Sequence, residues 1–386
     1  MTPSAREVTL EVLAAIEEGA FASDLLREHS VGLDPREAAL ASEITFGVLR
    51  HQAQLDFLIG HYSGRPASRI DAALRLILRT GVYQLRYLER LPAYAVVNES
   101  VNLAKGGGHK SGAGFVNAVL RKVDRGPVKW PDRATAVSMP GWLLERWDRH
   151  FGSQRAERIA RSFLRPPTMY VRIPGPLGPQ EAGHSLEPTE VPGCYMLRDG
   201  ANPGYRLMDI GAQSIVPLLE LKPGELFLDL AAAPGNKTAQ ALEQDVRVVA
   251  CDSSWVRLAG MKDLACLLVV ADATQPLPLA AKFDKILADV PCSGTGTLGR
   301  NPEIKWRLRP AGLKRHHRRQ VRMLRNAIRL LKPGGVLVYS TCSLEPEEND
   351  EVVNEVLGGA TPSGRRLRLP GHEPGDGFFA AVIRSD

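Results

Sequence analysis

No apolar run in this sequence approaches the roughly 18 residues that a membrane-spanning helix requires, so no such helix is expected. Its opening, MTPSAREVTLEVL, lacks the basic-then-apolar order of a secretory leader. Five cysteines (Cys194, Cys251, Cys266, Cys292, Cys342) are few and odd in number, which excludes a complete disulfide framework. They show neither CxxC nor Cys/His spacing, so no zinc site is expected. These absences together predict a cytoplasmic chain with reduced thiols, no metal and no membrane partner. Also missing are a full GxGxxG and a Walker A loop, which disfavours a dinucleotide or a nucleoside triphosphate. No internal repeat or low-complexity tract is present.

With 386 residues the chain is too long for one ordinary core and predicts two or three domains. The formal charge is only +6, but it is unevenly placed. Between residues 300 and 332 twelve Lys/Arg meet a single acid, Glu303, a local +11 that leaves the rest of the chain at −5. A charge run is usually a solvated helix face; this excess inside an acidic remainder points instead to a polyanion surface. Leu313, Val321, Leu324, Ile328 and Leu331 fall near helical spacing, so one stripe of this helix should be buried.

Up to about residue 122 the apolar spacing is helical throughout, as at Ala5, Val8, Val12 and Ile16. Asp34-Pro35-Arg36-Glu37 sets an N-cap, a proline at N1 and an acid at N3 before an apolar run. Leu74, Leu78 and Leu85 mark a further helix, and GFVNAVLRKV (114–123) the last. An all-α domain over 1–126 is expected, with His51, His61 and His109 as surface or capped histidines. Residues 127–206 read as a linker and a small α/β module. Within it, helices are expected over 141–151 and 153–163, and TMYVRIP (168–174) should pair with GCYMLRDG (193–200). The Pro/Gly-rich stretch between those two strands shows no helix pattern. From 207 to 386 the rhythm becomes strand, loop, helix, with strands at ELFLDL, VRVVACD, LLVVAD, FDKILADV and GGVLVYST. That is the signature of an open parallel α/β sheet with ligands at its carboxyl edge.

The chemistry gathers at that edge. In ELFLDLAAAPGNKTAQAL (225–242) a strand ends in Asp229, and small residues lead into a helix N-terminus whose N–H groups are open. The next strands end at Asp252, Asp272 and Asp289. Any one aspartate is most simply a cap; four in register suit a ligand with ribose hydroxyls, an exocyclic amine and a cationic centre. Cys292 follows the fourth strand and Cys342 ends the fifth, so both should open onto this crevice. Cys251 and Cys266 read as buried fillers. C5 of a pyrimidine is a poor nucleophile, and methylating it requires a thiolate at C6, a carboxyl group near N3 and a base for the C5 proton. SLEPEE (343–348) resembles a helix start, which would favour a Cys342 thiolate, although its glutamates oppose that effect. Spacing alone leaves open which thiol attacks.

DLAAAPGNKT, ADVPCSGTGTLGRNPEIKWR and LLKPGGVLVYSTCSLEPEEN resemble the RNA cytosine-5 methyltransferases of the Nol/Nop/Sun family. YAVVNESVNLAK (94–105) and GFVNAVLRKV resemble a NusB-type RNA-binding domain, and GDGFFAAVI (375–383) fits the same RsmB/Sun subgroup. The resemblance implies a NusB-like domain at 1–126, a small α/β RNA-binding subdomain within 127–206, and a Rossmann-like S-adenosylmethionine methyltransferase domain at 207–386. It also implies small-subunit ribosomal RNA as the substrate and a monomer. Ala231, Ala232, Ala233, Pro234, Gly235, Asn236 and Lys237 would surround the methionine part of the cofactor. Asp252 would hold the ribose, Asp272 would lie by the adenine, and Asp289 would border both cofactor and base. Cys342 would be the nucleophile, and Cys292 would assist release of the adduct by helping to remove the C5 proton. DNA cytosine-5 methyltransferases use a Pro-Cys thiol instead.

Two departures from the family's CAAPGGKT motif stand at Ala231 and Asn236. Alanine is benign, and asparagine tolerates the positive φ that a glycine would supply. A different class of reading is an RNA-binding assembly protein with a degenerate catalytic domain. Both cysteines and all four strand-end aspartates are intact, which such a scaffold would not require. A nicotinamide-dependent oxidoreductase is weaker still, without GxGxxG or a hydride-transfer acid.

Overall fold

A computed structural model describes residues 3–175, 185–198 and 204–385. The chain forms two compact units: Met1–Pro166 with Leu298–Arg307, and Pro167–Thr297 with Leu308–Asp386.

In the first unit the described elements are helical. They are α1 (Ala5–Glu17), α2 (Ala22–His29), α3 (Pro35–Ser63), α4 (Ala72–Tyr87), α5 (Ala93–Gly106), α6 (Ala113–Leu120), α7 (Arg133–Ala136), α8 (Gly141–Phe151) and α9 (Ser153–Ser162). Ser4 and Glu7 form a capping box at α1. Asp34 caps α3 with Pro35 at N1, as its local sequence dictates. Glu37 is spent differently: it accepts from the Ala5 N–H at 2.8 Å and so ties α3 to α1. Val8, Val12, Ile44, Leu55, Leu78 and Val116 meet in one core, each contributing about 1.5–3 kcal/mol by burial. The excursion 298–307 packs into this unit, and Lys305 is fully buried in it. Of the three histidines read as surface or capped, His51 packs against Tyr83 and Tyr87 and bonds Gln54 at 2.7 Å. Burial drives its pKa down to about 4.

The 127–206 stretch contributes to both units, its helices α7 to α9 to the first and its strands to the second. Those strands are β1 (Tyr170–Arg172), β2 (Leu186–Pro188), β3 (Cys194–Leu197) and β4 (Arg206–Leu207), in the order β2-β3-β1-β4. The expected β1–β3 pair forms antiparallel, with Tyr170 opposite Met196. Residues 176–184 of the Pro/Gly-rich stretch lie outside the described residues.

The main sheet has seven strands: β5 (Leu226–Asp229), β6 (Arg247–Asp252), β7 (Cys266–Val270), β8 (Phe283–Asp289), β9 (Leu331–Thr341), β10 (Gly364–Arg368) and β11 (Phe378–Arg384). Their order is β10-β11-β9-β8-β5-β6-β7. The five expected strands are parallel, while β10 and β11 add an antiparallel edge, so the sheet is mixed rather than purely parallel. Helices α10 (Ile210–Gln213) and α11 (Asn236–Leu242) follow β4 and β5, and α12 (Trp255–Ala259) follows β6. A short α13 (Glu303–Arg307) lies within the excursion, before α14 (Pro310–Ile328) and α15 (Asp350–Leu357). Val321 and Leu324 of α14 and Val352 and Val353 of α15 pack with Ile286 and Leu337 of the sheet. Ala241 of α11 packs with Phe227, Leu287 and Val338. The strand order reverses between β5 and β8, which opens a crevice at their carboxyl ends.

Candidate active site

Strand register brings the acids to one edge. Asp229 ends β5, Asp252 ends β6 opposite Val270 of β7, and Asp289 ends β8 opposite Ser340 of β9. Asp289 is gripped from two sides: Ser340 Oγ donates to Oδ1 at 2.6 Å, and Lys237 Nζ donates to Oδ2 at 2.6 Å. Lys237 keeps only 14% of its side chain exposed. Burial alone would lower its pKa, but Asp289 first and then Asp229 and Cys342 lift it above the usual lysine range. Asp229 is buried and accepts from Thr238 Oγ1 at 2.7 Å. Burial, with the Asp289 charge adding to it, pushes its pKa up to about 7.

The loop after β5 is shaped by its small residues. Ala232 and Ala233 are buried, and the Ala232 N–H donates to the Cys251 carbonyl at 2.8 Å. Gly235 takes φ +97° as the N-cap of α11, and a Cβ there would strike Met261 at 2.9 Å. Asn236 is the first residue of α11 and is not at positive φ, so the conformational demand falls on Gly235 instead. The Asn236 side chain accepts from Arg206 at 3.1 Å. Asp252 Oδ1 accepts from the Ser254 N–H at 2.9 Å, and Oδ2 faces the half-exposed Arg257 at 3.4 Å. Arg257 also donates to the Ala233 carbonyl, which links this loop to Asp252. Exposed Asp272 folds onto its own turn, taking the Thr274 N–H and hydroxyl, each at 2.9 Å.

The two candidate thiols face each other, with Cys292 and Cys342 Sγ 3.3 Å apart. Their loops interlock through Gly296, whose N–H donates to the Cys342 carbonyl at 2.9 Å and whose carbonyl accepts from Gly377 at 2.8 Å. A Cβ on Gly296 would lie 2.3 Å from the Gly377 oxygen, so only glycine fits. The Cys292 thiol is held well above the usual cysteine range by its hydrogen bond to Cys342, by burial, and by the charges of Cys342 and Glu348. Either sulfur can donate across this contact, and these causes favour the proton on Cys292. The other thiols are elsewhere: burial pushes Cys251 and Cys194 up to about 11, and Cys266 is half-buried.

The expected helix start beside Cys342 is absent. Pro346–Glu348 is a 3₁₀ turn, and α15 begins only at Asp350. Glu348 instead turns inward and is fully buried. Its Oε1 accepts from the Ser293 N–H at 2.8 Å and from Gln320 Nε2 at 3.2 Å. Its Oε2 accepts from the hydroxyls of Ser293 and Ser343, the latter at 2.5 Å. Sequence reasoning missed this residue because an acid two positions before a helix resembles a solvated start; its burial is a tertiary effect.

The basic run divides. Lys305 is an interior residue whose Nζ donates to the Arg50 and Ser138 carbonyls at 2.8 and 2.7 Å. Lys314, Arg315, Arg318, Arg322 and Arg325 stay exposed on α14, opposite its buried stripe, and Arg329 is exposed at its C-cap. Arg319 and Arg322 lie close enough to Asp272 to help lower its pKa, after the main effect of the Thr274 N–H. Among the described residues no group of three His, Cys, Asp or Glu could hold a metal.

The mixed seven-stranded sheet, acid-tipped at its carboxyl edge, is that of a Rossmann-like methyltransferase. Residues 216–363 match the family described as 16S rRNA methyltransferase RsmB/F, and residues 3–125 match the NusB family. The "Probable ribosomal RNA small subunit methyltransferase B" of Synechocystis sp. is 31% identical over 99% of both chains. "Ribosomal RNA small subunit methyltransferase B" of Klebsiella pneumoniae is 32% identical over 98% of both. The crystal structure titled PH0851 shares the fold, with a TM-score of 0.82 at 24% identity over 100% of this chain and 99% of that one. A methyltransferase homolog protein from Pyrococcus horikoshii is 26% identical with a TM-score of 0.56, over 67% of this chain and 100% of that one. The chain belongs to the ribosomal RNA small subunit methyltransferase B family.

Proposed function

We propose that the protein transfers a methyl group from S-adenosylmethionine to C5 of a cytosine in 16S ribosomal RNA, through a covalent bond between Cys342 and C6 of the base. The observation that carries this reading is the 3.3 Å thiol pair beside the Asp289–Lys237 ion pair. Two thiols in contact beside a held carboxyl group are what addition at C6 and later release require. Small-subunit ribosomal RNA is supported by the names of the full-length relatives.

The donor set fits the cofactor. The alanine loop and the N-terminus of α11 leave backbone open to the methionine part, and Asp252 Oδ2 faces an arginine that ribose hydroxyls could displace. Asp272, at the next strand end, is assigned to the adenine side. When bound, S-adenosylmethionine supplies an electrophilic methyl group on a sulfonium.

Cys342 Sγ forms the bond to C6, and the Lys237 cation, held in place by Asp289, offsets the negative charge that develops on the ring at N3. C5 gains its methyl group as the donor's sulfur–methyl bond breaks. The C5 proton then leaves to a base, the Sγ–C6 bond breaks, and the electron pair returns to Cys342. While Cys342 is free, its sulfur lies 3.3 Å from Cys292 and disfavours loss of the Cys292 proton. Adduct formation removes the hydrogen-bond acceptor and the Cys342 charge, two of the causes that hold the Cys292 proton in place. Cys292 is thereby freed to take part in C5 proton removal only after attack. The target base must leave its stack to reach the pair, and the exposed arginines of α14 would hold the flanking phosphates.

Incubation with methyl-labelled cofactor and 16S ribosomal RNA, naked or in assembling subunits, followed by mapping of 5-methylcytosine, tests this function. Label at C5 of a defined cytosine is expected; no methylated cytosine in either form contradicts it.

A further inference from the structure

Each of the two thiols is followed by a serine, and both serines are bound by one buried carboxyl group. Glu348 takes the N–H of Ser293 at 2.8 Å together with its hydroxyl, and takes the Ser343 hydroxyl at 2.5 Å. The two hydroxyls also lie 3.1 Å from each other. Gln320 of α14 bonds both Glu348 Oε1 at 3.2 Å and the Pro291 carbonyl at 3.0 Å, which fixes the carboxyl group to the start of the Cys292 loop. Tyr339 of β9 donates to the Glu348 backbone carbonyl at 2.6 Å. Glu348 is thus tied to the loops after β8 and β9 and to the helix and strand behind them.

We propose that Glu348 is the positioning residue of the thiol pair: through Ser293 and Ser343 it clamps the Cys292 and Cys342 loops together and so sets how the two sulfurs meet. The proposal rests on the catalytic reading of that pair. The geometry alone gives the clamp, since no other carboxyl group bonds both serines among the described residues. The Glu348 charge adds a bias to that clamp, because it is one of the groups that disfavour a Cys292 thiolate.

Ionisable groups on several elements face this assembly. From α14, His316 Nδ1 lies 3.9 Å from Glu348 Oε1, with Arg315 and Arg319 acting on it. Burial takes His316 below the usual histidine range although Glu348 opposes that. From β9, Tyr339 is held far above the usual phenol range by burial and by Cys292, Glu348 and Asp289. Cys342 itself faces it as well, with Lys237, on which the Cys342 charge acts, and its partner Asp289.

The test is peptide-resolved iodoacetamide labelling of Cys292 against pH in the full chain, with methyl-transfer kinetics alongside. Glu348→Gln keeps the shape and removes the charge; Glu348→Asp keeps the charge and shortens the reach. In Glu348→Gln the labelling midpoint of Cys292 moves to lower pH than in the wild type. In Glu348→Asp it stays at the wild-type position, while kcat falls about a hundredfold with little change in KM for RNA. A merely structural residue would leave the Glu348→Gln midpoint unmoved, and that result overturns the proposal. If Glu348→Gln does not fold, Glu348→Asp decides alone: a midpoint that falls, or an unchanged kcat, overturns it. Labelling needs neither RNA nor methyl donor. A shifted midpoint in a chain that methylates no cytosine would therefore leave this bias standing and defeat only the proposed function.

Discussion

Lys237 Nζ and Asp289 Oδ2 stand 2.6 Å apart at the carboxyl edge of the sheet, with Ser340 holding the other Asp289 oxygen at the same distance. Lys237 comes from the helix after β5, so the pair joins the expected cofactor loop to the strand end beside Cys292. Lys237→Met leaves Asp289 without its cation in a quarter-exposed position. The expected cost is about 1–3 kcal/mol of stability and about a hundredfold in single-turnover rate. Urea unfolding and rapid-quench methylation measure the two, and a stable variant of full rate would remove the pair from the site.

Asp229 predicts a pH effect of definite sign. Its carboxyl ionises near 3.8 when unfolded and near 7 when folded, so the native state holds the extra proton between those values. Stability is lost as pH rises through that window, and the deficit persists above it. Asp229→Asn cannot ionise and can still accept from Thr238. It should be more stable than the wild type by about 1–3 kcal/mol at pH 8 and about equal to it at pH 4. Urea midpoints at the two pH values check this; an equal gain at both would contradict the buried-carboxyl account.

Lys305 predicts the opposite slope in the helical unit. Burial, helped by Arg50, pulls its pKa from 10.5 to about 7, so between those values only the unfolded chain keeps the proton. Stability should therefore rise with pH from about 7 to about 10. Lys305→Met removes the slope and orphans the Arg50 and Ser138 carbonyls, at about 2 kcal/mol at pH 9. Hydrogen exchange of α3, corrected for intrinsic rates, reports both effects.

Arg318 and Arg322 of α14 and Arg329 at its C-cap are exposed, and neutralising them tests the phosphate surface. Each change to glutamine should weaken RNA binding and reduce the slope of log K against log salt by about 0.7–0.9. Methylation at saturating RNA should be unchanged. A salt slope untouched by all three changes would place the RNA elsewhere.

Much of this was legible locally. Helical periodicity located α1, α3 and α4, apolar runs located β5 to β9, and strand-end position brought Asp229, Asp252 and Asp289 to one edge with Cys292 and Cys342. What escaped the sequence is non-local. Lys305 belongs by composition to a solvated basic run, yet it is buried because residues 298–307 fold with the helical unit. Glu348 stands in an acidic stretch that resembles a helix start, yet it turns inward to bind two serines from different loops. Asn236 was read as taking over a positive φ that Gly235 in fact carries. The antiparallel edge formed by β10 and β11 depends on pairing with β9, which no local pattern specifies.

The roles assigned to the two sulfurs 3.3 Å apart are tested most directly by trapping the RNA adduct. Cys292→Ala and Cys342→Ala are each incubated with 16S ribosomal RNA and S-adenosylmethionine, then resolved under denaturing conditions. Cys292→Ala should accumulate a protein–RNA adduct that survives denaturation, and Cys342→Ala should form none. An adduct in Cys342→Ala, with none in Cys292→Ala, would contradict the assignment and exchange the two roles.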